Sequence, residues 1–243
     1  MSLSRLQKQL DFNSSVSAET HVLTKIPVVL SDSKARCVSN EVTRGVEKEI
    51  KWWWKGGAST QSQFQYLKDN LELFLHQHQN IVLYLWLGTC DLTVKQGKYI
   101  SLRSKDNLTA YELINTFKDI YKFIKDFPTV ELSFLELPPY SIYEYNKVHG
   151  NDNQEFREDD KLLAGQIDIV NSFVRETNIL LRKSSPKFSL DVENCKKSHN
   201  KPSAYSYRFS TFYTDGVHPI PPLAKLWLYR ICKEIVKDCV ESQ

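Results

Sequence analysis

The sequence predicts an α/β protein, a single three-layer α/β/α sandwich built on a five-stranded parallel sheet. Two observations predict it. Short apolar runs alternate with amphipathic helical stretches along nearly the whole chain, the pattern of a parallel sheet covered on both faces. Several of those runs also end abruptly in glycine, hydroxyl or carboxylate residues, and in a parallel sheet such ends share one edge. With 243 residues, 41% hydrophobic and 12% aromatic, the chain can bury a substantial core. No Pro/Gly/Ser-rich linker divides it, so one domain suffices.

Taken in order, residues 1–20 are polar, with a Ser/Asn-rich patch at Asn13 to Ser17, and read as a flexible N-terminal arm to a domain spanning 21–243. Val22 to Leu30 is β-branched and apolar, too short for a helix, and reads as the first strand. A helix is expected from about Lys34 to Val42. Glu49 to Trp54 is the second strand; Trp52-Trp53-Trp54 alternates across it, so at least one ring is core and another could line a cleft, with core the better reading. It is closed by Gly56-Gly57, where backbone conformations denied to other residues become available. Phe64, Leu67, Leu71, Phe74 and Leu75 recur at a helical period. Asn80 to Leu87 is the most apolar run, expected to be central and buried on both faces. A helix from about Thr109 to Asp126 precedes Pro128, and Val130 to Leu137 is a fourth strand ended by Pro138-Pro139. Tyr140 to Asp160 reads as a surface excursion. Leu162, Leu163, Ile167, Val170 and Val174 then mark a helix face, and Lys187 to Val192 supplies the fifth strand. Cys195 to Tyr213 reads as a long loop, and a closing helix runs from about Pro222 to Val240.

Composition narrows the function. A net charge of +3 with scattered lysines falls short of a dedicated nucleic-acid binder. No apolar run approaches the roughly 20 residues that span a bilayer, and Met1 to Ser17 lacks the apolar stretch of a signal peptide. Five irregularly spaced cysteines argue against a disulfide framework and for a reducing, intracellular (cytoplasmic) setting. His76-x-His78 and Cys195-x-x-x-His199 lack the further ligands that a zinc site needs. Lys196 to Arg208 mixes cations with aromatics, a composition that suits nucleic acid as well as a solvated loop.

The chemistry-bearing residues sit at the strand ends. Ser31-Asp32-Ser33 follows the first strand, where all three are also good helix N-caps. Gly56-Gly57 follows the second, Gly88-Thr89-Cys90-Asp91 the third, and Asp215-Gly216-Val217-His218 precedes the last helix. In their order and placement these four blocks resemble the SGNH (GDSL-type) hydrolases, a superfamily of esterases and lipases with a flavodoxin-like fold. The resemblance covers residues 22 to 240. It implies a serine hydrolase that cleaves a small ester through an acyl-serine intermediate and needs no cofactor or metal. Ser33 would be the nucleophile, His218 the general base and Asp215 the residue that orients the imidazole. The oxyanion hole would use the N–H groups of Ser33 and Gly57 and the side chain at position 90, with Asp32, Gly88 and Asp91 in support.

Two positions depart from the family pattern. Ser31 stands where the family has glycine. Cys90 replaces the asparagine whose amide is the third oxyanion donor, and a thiol is a weak donor. Losing one such donor costs about 10² to 10³ in rate, so a slower enzyme is expected, or one that uses a substitute such as Thr89. The rival expectation is a silent binding module that keeps the fold but not the chemistry. Related domains also occur in some retrotransposon proteins, which adds nucleic acid to the partners to be tested. Cys90 as the nucleophile is a third, weaker reading, because His218 would already serve Ser33.

Overall fold

A computed structural model describes residues 2–16, 22–198 and 201–240, with the side chains of 12–16, 195–198 and 201–205 excepted. The chain runs α1 (Leu3–Val16), β1 (Ile26–Ser31), α2 (Ser33–Ser39), a 3₁₀ turn (Gly45–Glu49), β2 (Lys51–Trp54), α3 (Thr60–Gln77) and β3 (Ile81–Trp86). There follow α4 (Thr89–Leu92), β4 (Thr93–Gln96), β5 (Tyr99–Leu102), α5 (Leu108–Ile124), β6 (Val130–Phe134), α6 (Ile142–Val148) and α7 (Phe156–Leu180). The last elements are α8 (Ser189–Val192), β7 (Glu193–Ser198), β8 (Lys201–Tyr207), α9 (Phe209–Phe212) and α10 (Pro221–Cys239).

The main sheet has the order β2-β1-β3-β6 and is parallel throughout. All six residues of β3 are buried, as its unbroken apolar sequence requires of a strand covered on both faces. Their alternation feeds two cores. Ile81, Leu83 and Leu85 pack with residues of α3, α5 and α7. Val82, Tyr84 and Trp86 pack with residues of α2 and α10 and with Leu6 of α1. Trp52 and Trp53 divide the same way, Trp53 lying edge-on to Tyr66 and Phe74 while Trp52 joins the opposite core.

From β1 the chain moves outward to β2, then crosses back to β3 and on to β6. The order therefore reverses between β1 and β3. In open α/β sheets the crevice at such a reversal is where ligands bind. Ser31 lies opposite Trp86 at this point, and its hydroxyl donates to the Trp86 carbonyl over 2.7 Å.

Four expectations are corrected. Among the described residues the sheet has four strands, not five. Lys187 to Val192, expected as the fifth, forms instead the α8 turn, with Phe188 and Val192 buried one turn apart and Leu190 exposed. A strand would have put Phe188, Leu190 and Val192 on one face; Phe188 instead wedges between Trp86 and Trp227. The edge of β6 that a fifth strand would have paired is served by asparagines of α7. Asn178 accepts from Phe134 N–H (3.0 Å) and donates to its carbonyl (2.7 Å), and Asn171 does the same for Leu137 (2.7 and 2.9 Å). Each carboxamide acts as one peptide unit of the missing strand.

Residues 3–16, expected within a flexible arm, form α1, because Leu6 docks fully buried in the core beneath α10. Tyr140 to Asp160 is not a mere surface excursion, since it contains α6 with Ile142, Tyr143, Tyr145 and Asn146 buried. The long loop expected from Cys195 carries the antiparallel β7–β8 hairpin. The side chains from Cys195 to Tyr205, and with them most of the stretch weighed for nucleic acid, lie outside the described residues. No described helix is long and apolar enough to cross a membrane.

Candidate active site

The first three predicted blocks follow β1, β2 and β3, and the fourth lies in the loop between α9 and α10. β1 ends at Ser31, and Asp32, with extended backbone, caps α2 by accepting the Lys34 N–H at 3.1 Å. This capping puts Ser33 at the first position of α2, half-buried, with its N–H facing away from the helix.

The loop before α10 brings His218 to it. His218 Nε2 lies 3.1 Å from Ser33 Oγ, and His218 Nδ1 lies 2.7 Å from Asp215 Oδ2. Asp215 also accepts the backbone N–H groups of Val217 (2.9 Å) and His218 (2.8 Å). Burial pushes the Asp215 carboxyl up, but the bonds from the His218 ring and these two N–H groups outweigh it and hold the group below the usual carboxylate range. Three residues that lie 185 positions apart at their extremes thus form one hydrogen-bonded line of hydroxyl, imidazole and carboxylate.

The turn that carries His218 depends on Gly216. Its φ is +87°, and a Cβ there would stand 2.8 Å from Tyr145 N and 2.9 Å from Ser141 O, both backbone atoms of the α6 entry. The close approach is used: Ser141 N–H donates to the Gly216 carbonyl at 2.9 Å. Asp160 fixes the α6 entry in turn, accepting from Ser141 Oγ and Ile142 N, each at 2.6 Å.

The other block residues are distributed as follows. Gly57 lies in an exposed turn after β2, next to the end of β1, where Lys55 N–H reaches the Ser31 carbonyl at 3.3 Å. Among the described residues neither the Ser33 nor the Gly57 N–H donates a hydrogen bond. Gly88 caps α4 at φ +121°, where a Cβ would meet Leu137 Cδ2 at 2.7 Å. Cys90 is half-buried on α4, its thiol pushed up to about 12 by burial and then by the Asp32 charge. A thiol so neutral is unsuited to be a nucleophile. Asp91 accepts the N–H (3.0 Å) and hydroxyl (2.8 Å) of Thr60, tying α4 to the start of α3.

Sequence reasoning missed Lys34. Its buried ammonium lies 2.6 Å from Asp32 Oδ2 and 3.1 Å from Thr89 Oγ1, bridging the ends of β1 and β3. One signal was available, since a cation in a helix's first turn opposes the helix dipole and needs a local reason.

No protein-family model matches the chain, and no curated protein matches it. Solved structures do. A GDSL-like lipase from Bacteroides thetaiotaomicron superposes with a TM-score of 0.58 at 11% identity, covering 96% of this chain and 97% of that one. An acylhydrolase, described as putative, from Bacteroides fragilis gives 0.56 at 12% identity, with 96% of each chain covered. A lipase/acylhydrolase from Enterococcus faecalis gives 0.52 at 12% identity over 90% of this chain and 99% of that one. The fold is the SGNH (GDSL-type) hydrolase fold. It is shared over nearly full length at identities that carry the architecture alone.

Proposed function

We propose that the protein is a serine ester hydrolase. The observation that carries this reading is the line Ser33 Oγ, His218 Nε2, His218 Nδ1, Asp215 Oδ2, with spacings of 3.1 and 2.7 Å across its two hydrogen bonds. An unassisted serine hydroxyl is a weak nucleophile, and an adjacent base within hydrogen-bond reach is what activates it.

In this reading His218 Nε2 takes the Ser33 proton as Oγ attacks the ester carbonyl carbon. The oxyanion that forms is met by the N–H groups of Ser33 and Gly57, which have no other acceptor among the described residues. Collapse breaks the bond to the alkoxy oxygen, and the imidazolium returns the proton to the departing alcohol. Water then attacks the acyl-serine with His218 as base and releases the carboxylic acid. Asp215 holds the Nδ1 proton and stabilises the imidazolium without taking that proton.

The test pairs a fluorophosphonate probe with turnover of p-nitrophenyl acetate. Ser33 should be labelled. Ser33→Ala should abolish labelling and lower turnover by at least about 10³-fold, with an unchanged circular dichroism spectrum. Equal turnover in wild type and Ser33→Ala would overturn the reading. Cys90 favours a second one, a silent binding module on the same fold, and an unlabelled Ser33 in folded protein would select it.

A further inference from the structure

The hydrolase reading leaves one oxyanion contact unfilled, because Cys90 offers a weak donor where the family pattern has an amide. The residue beside it is better equipped. We propose that the Thr89 hydroxyl, held by Lys34, is the third oxyanion donor of this site, and that Lys34 is its positioning residue.

The geometry points to Thr89 in three ways. First, Thr89 opens α4 at the carboxyl end of β3, as Ser33 opens α2 at the end of β1, and the two strands are neighbours at the reversal of strand order. Second, Thr89 is held at three points. Its carbonyl accepts from Thr93 Oγ1 (3.0 Å) and Tyr140 OH (2.9 Å), and its Oγ1 accepts from Lys34 Nζ (3.1 Å). Third, the hydroxyl proton itself has no acceptor among the described residues. An oxygen that accepts from an ammonium is polarised towards donating its own proton, which is the property an oxyanion donor needs.

The Lys34–Asp32 pair is otherwise hard to account for. Both side chains are buried, and a buried ion pair contributes little net stability over a well-packed apolar pair of similar volume. Asp32 fixes the ammonium at 2.6 Å, and the ammonium in turn holds the Thr89 hydroxyl at 3.1 Å, tying the start of α4 to the start of α2, which carries Ser33. This inference rests on the hydrolase reading, so its test must fail separately from that reading.

The experiment compares wild type, Thr89→Val, Thr89→Ser and Thr89→Val/Cys90→Asn in the full chain, with kcat and KM for p-nitrophenyl acetate and fluorophosphonate labelling as readouts. Thr89→Val should lower kcat about 10²-fold with KM within about twofold, while Thr89→Ser stays within a few-fold of wild type. Restoring an amide at position 90 should return at least about tenfold to Thr89→Val, a rescue that a merely structural role for Thr89 would not show. Should Thr89→Val not fold, the double variant Asp32→Asn/Lys34→Met removes the ammonium without leaving a buried carboxylate alone, and should lower kcat at unchanged KM. Wild-type kcat in Thr89→Val, with Ser33 labelled as in wild type, would overturn this inference alone. An unlabelled Ser33 in the wild type would overturn the hydrolase reading and this inference with it.

Discussion

His218 reaches Ser33 because Gly216 lets its turn press against backbone. Any Cβ at Gly216 meets Tyr145 N and Ser141 O below 3.0 Å, and neither atom belongs to a side chain that can swing aside. The positive φ adds strain for any L side chain. Gly216→Ala should therefore destabilise the protein by roughly 2 to 4 kcal/mol, read as a fall in the urea midpoint, and should lengthen the His218–Ser33 contact in a crystal structure. An unchanged midpoint would mean the turn is looser than described. At this scale the sequence was informative about the site and silent about its support. Ser33, Asp215 and His218 are legible as candidates because a hydroxyl, a carboxylate and an imidazole stand out by residue type in the segments that open α2 and precede α10. Lys34 is not, because nothing in a lysine's identity says that its ammonium will be buried against Asp32. Asp91 reads as part of the same block, yet its side chain serves Thr60 and the start of α3.

The elements were legible where periodicity is strong and hidden where side chains replace backbone. β1, β3, α3, α5 and α10 appear in the structure close to where the apolar spacing puts them. Among the described residues no fifth strand joins the sheet, and Asn171 and Asn178 on α7 instead pair with the backbone of Leu137 and Phe134 at its outer edge. No hydrophobic pattern reports a carboxamide that imitates a peptide group. Asn178→Leu should leave both the N–H and the carbonyl of Phe134 without a partner in a buried setting. The expected cost is about 2 to 4 kcal/mol, measured by denaturant unfolding, and a loss below about 0.5 kcal/mol would contradict the substitution of side chain for strand. The 3₁₀ turn offers a pH test. Burial alone pushes Glu47 up, but Lys225 and the Thr43 and Arg44 N–H groups outweigh it and lower the carboxyl below its ordinary value. Lys225 Nζ stands 2.9 Å from both Glu47 oxygens, binding the turn to α10. A carboxyl depressed by folding adds stability above its unfolded value, near about pH 4.3, and loses that contribution as the pH falls through the depressed folded value. Glu47→Gln should cost about 1 to 2 kcal/mol at neutral pH, with the difference closing in acid. A difference that persists in acid would assign the loss to packing instead.

For the molecule as a whole, the ordering of strands converts a linear pattern into a site. Three blocks follow β1, β2 and β3, whose carboxyl ends share one edge where the order reverses between β1 and β3, and the loop before α10 brings His218 to Ser33 there. That much follows from alternation of strand and helix, and the shared fold with GDSL-like lipases and acylhydrolases agrees with it. What the sequence did not carry was the packing at the margins: α1 docked through Leu6, and α6 buttressing the histidine turn. Both depend on contacts between distant segments, which local patterning does not encode. In the proposed hydrolase reading Ser33 carries the acyl group during turnover. Acid-quenching the protein during hydrolysis of p-nitrophenyl acetate and mapping the peptides by mass spectrometry tests it most directly. An acetyl group on the peptide bearing Ser33, absent in Ser33→Ala and accumulating when deacylation is slowed, is the result expected. Turnover with no acetylated Ser33, or acetyl carried by Cys90 instead, would contradict it.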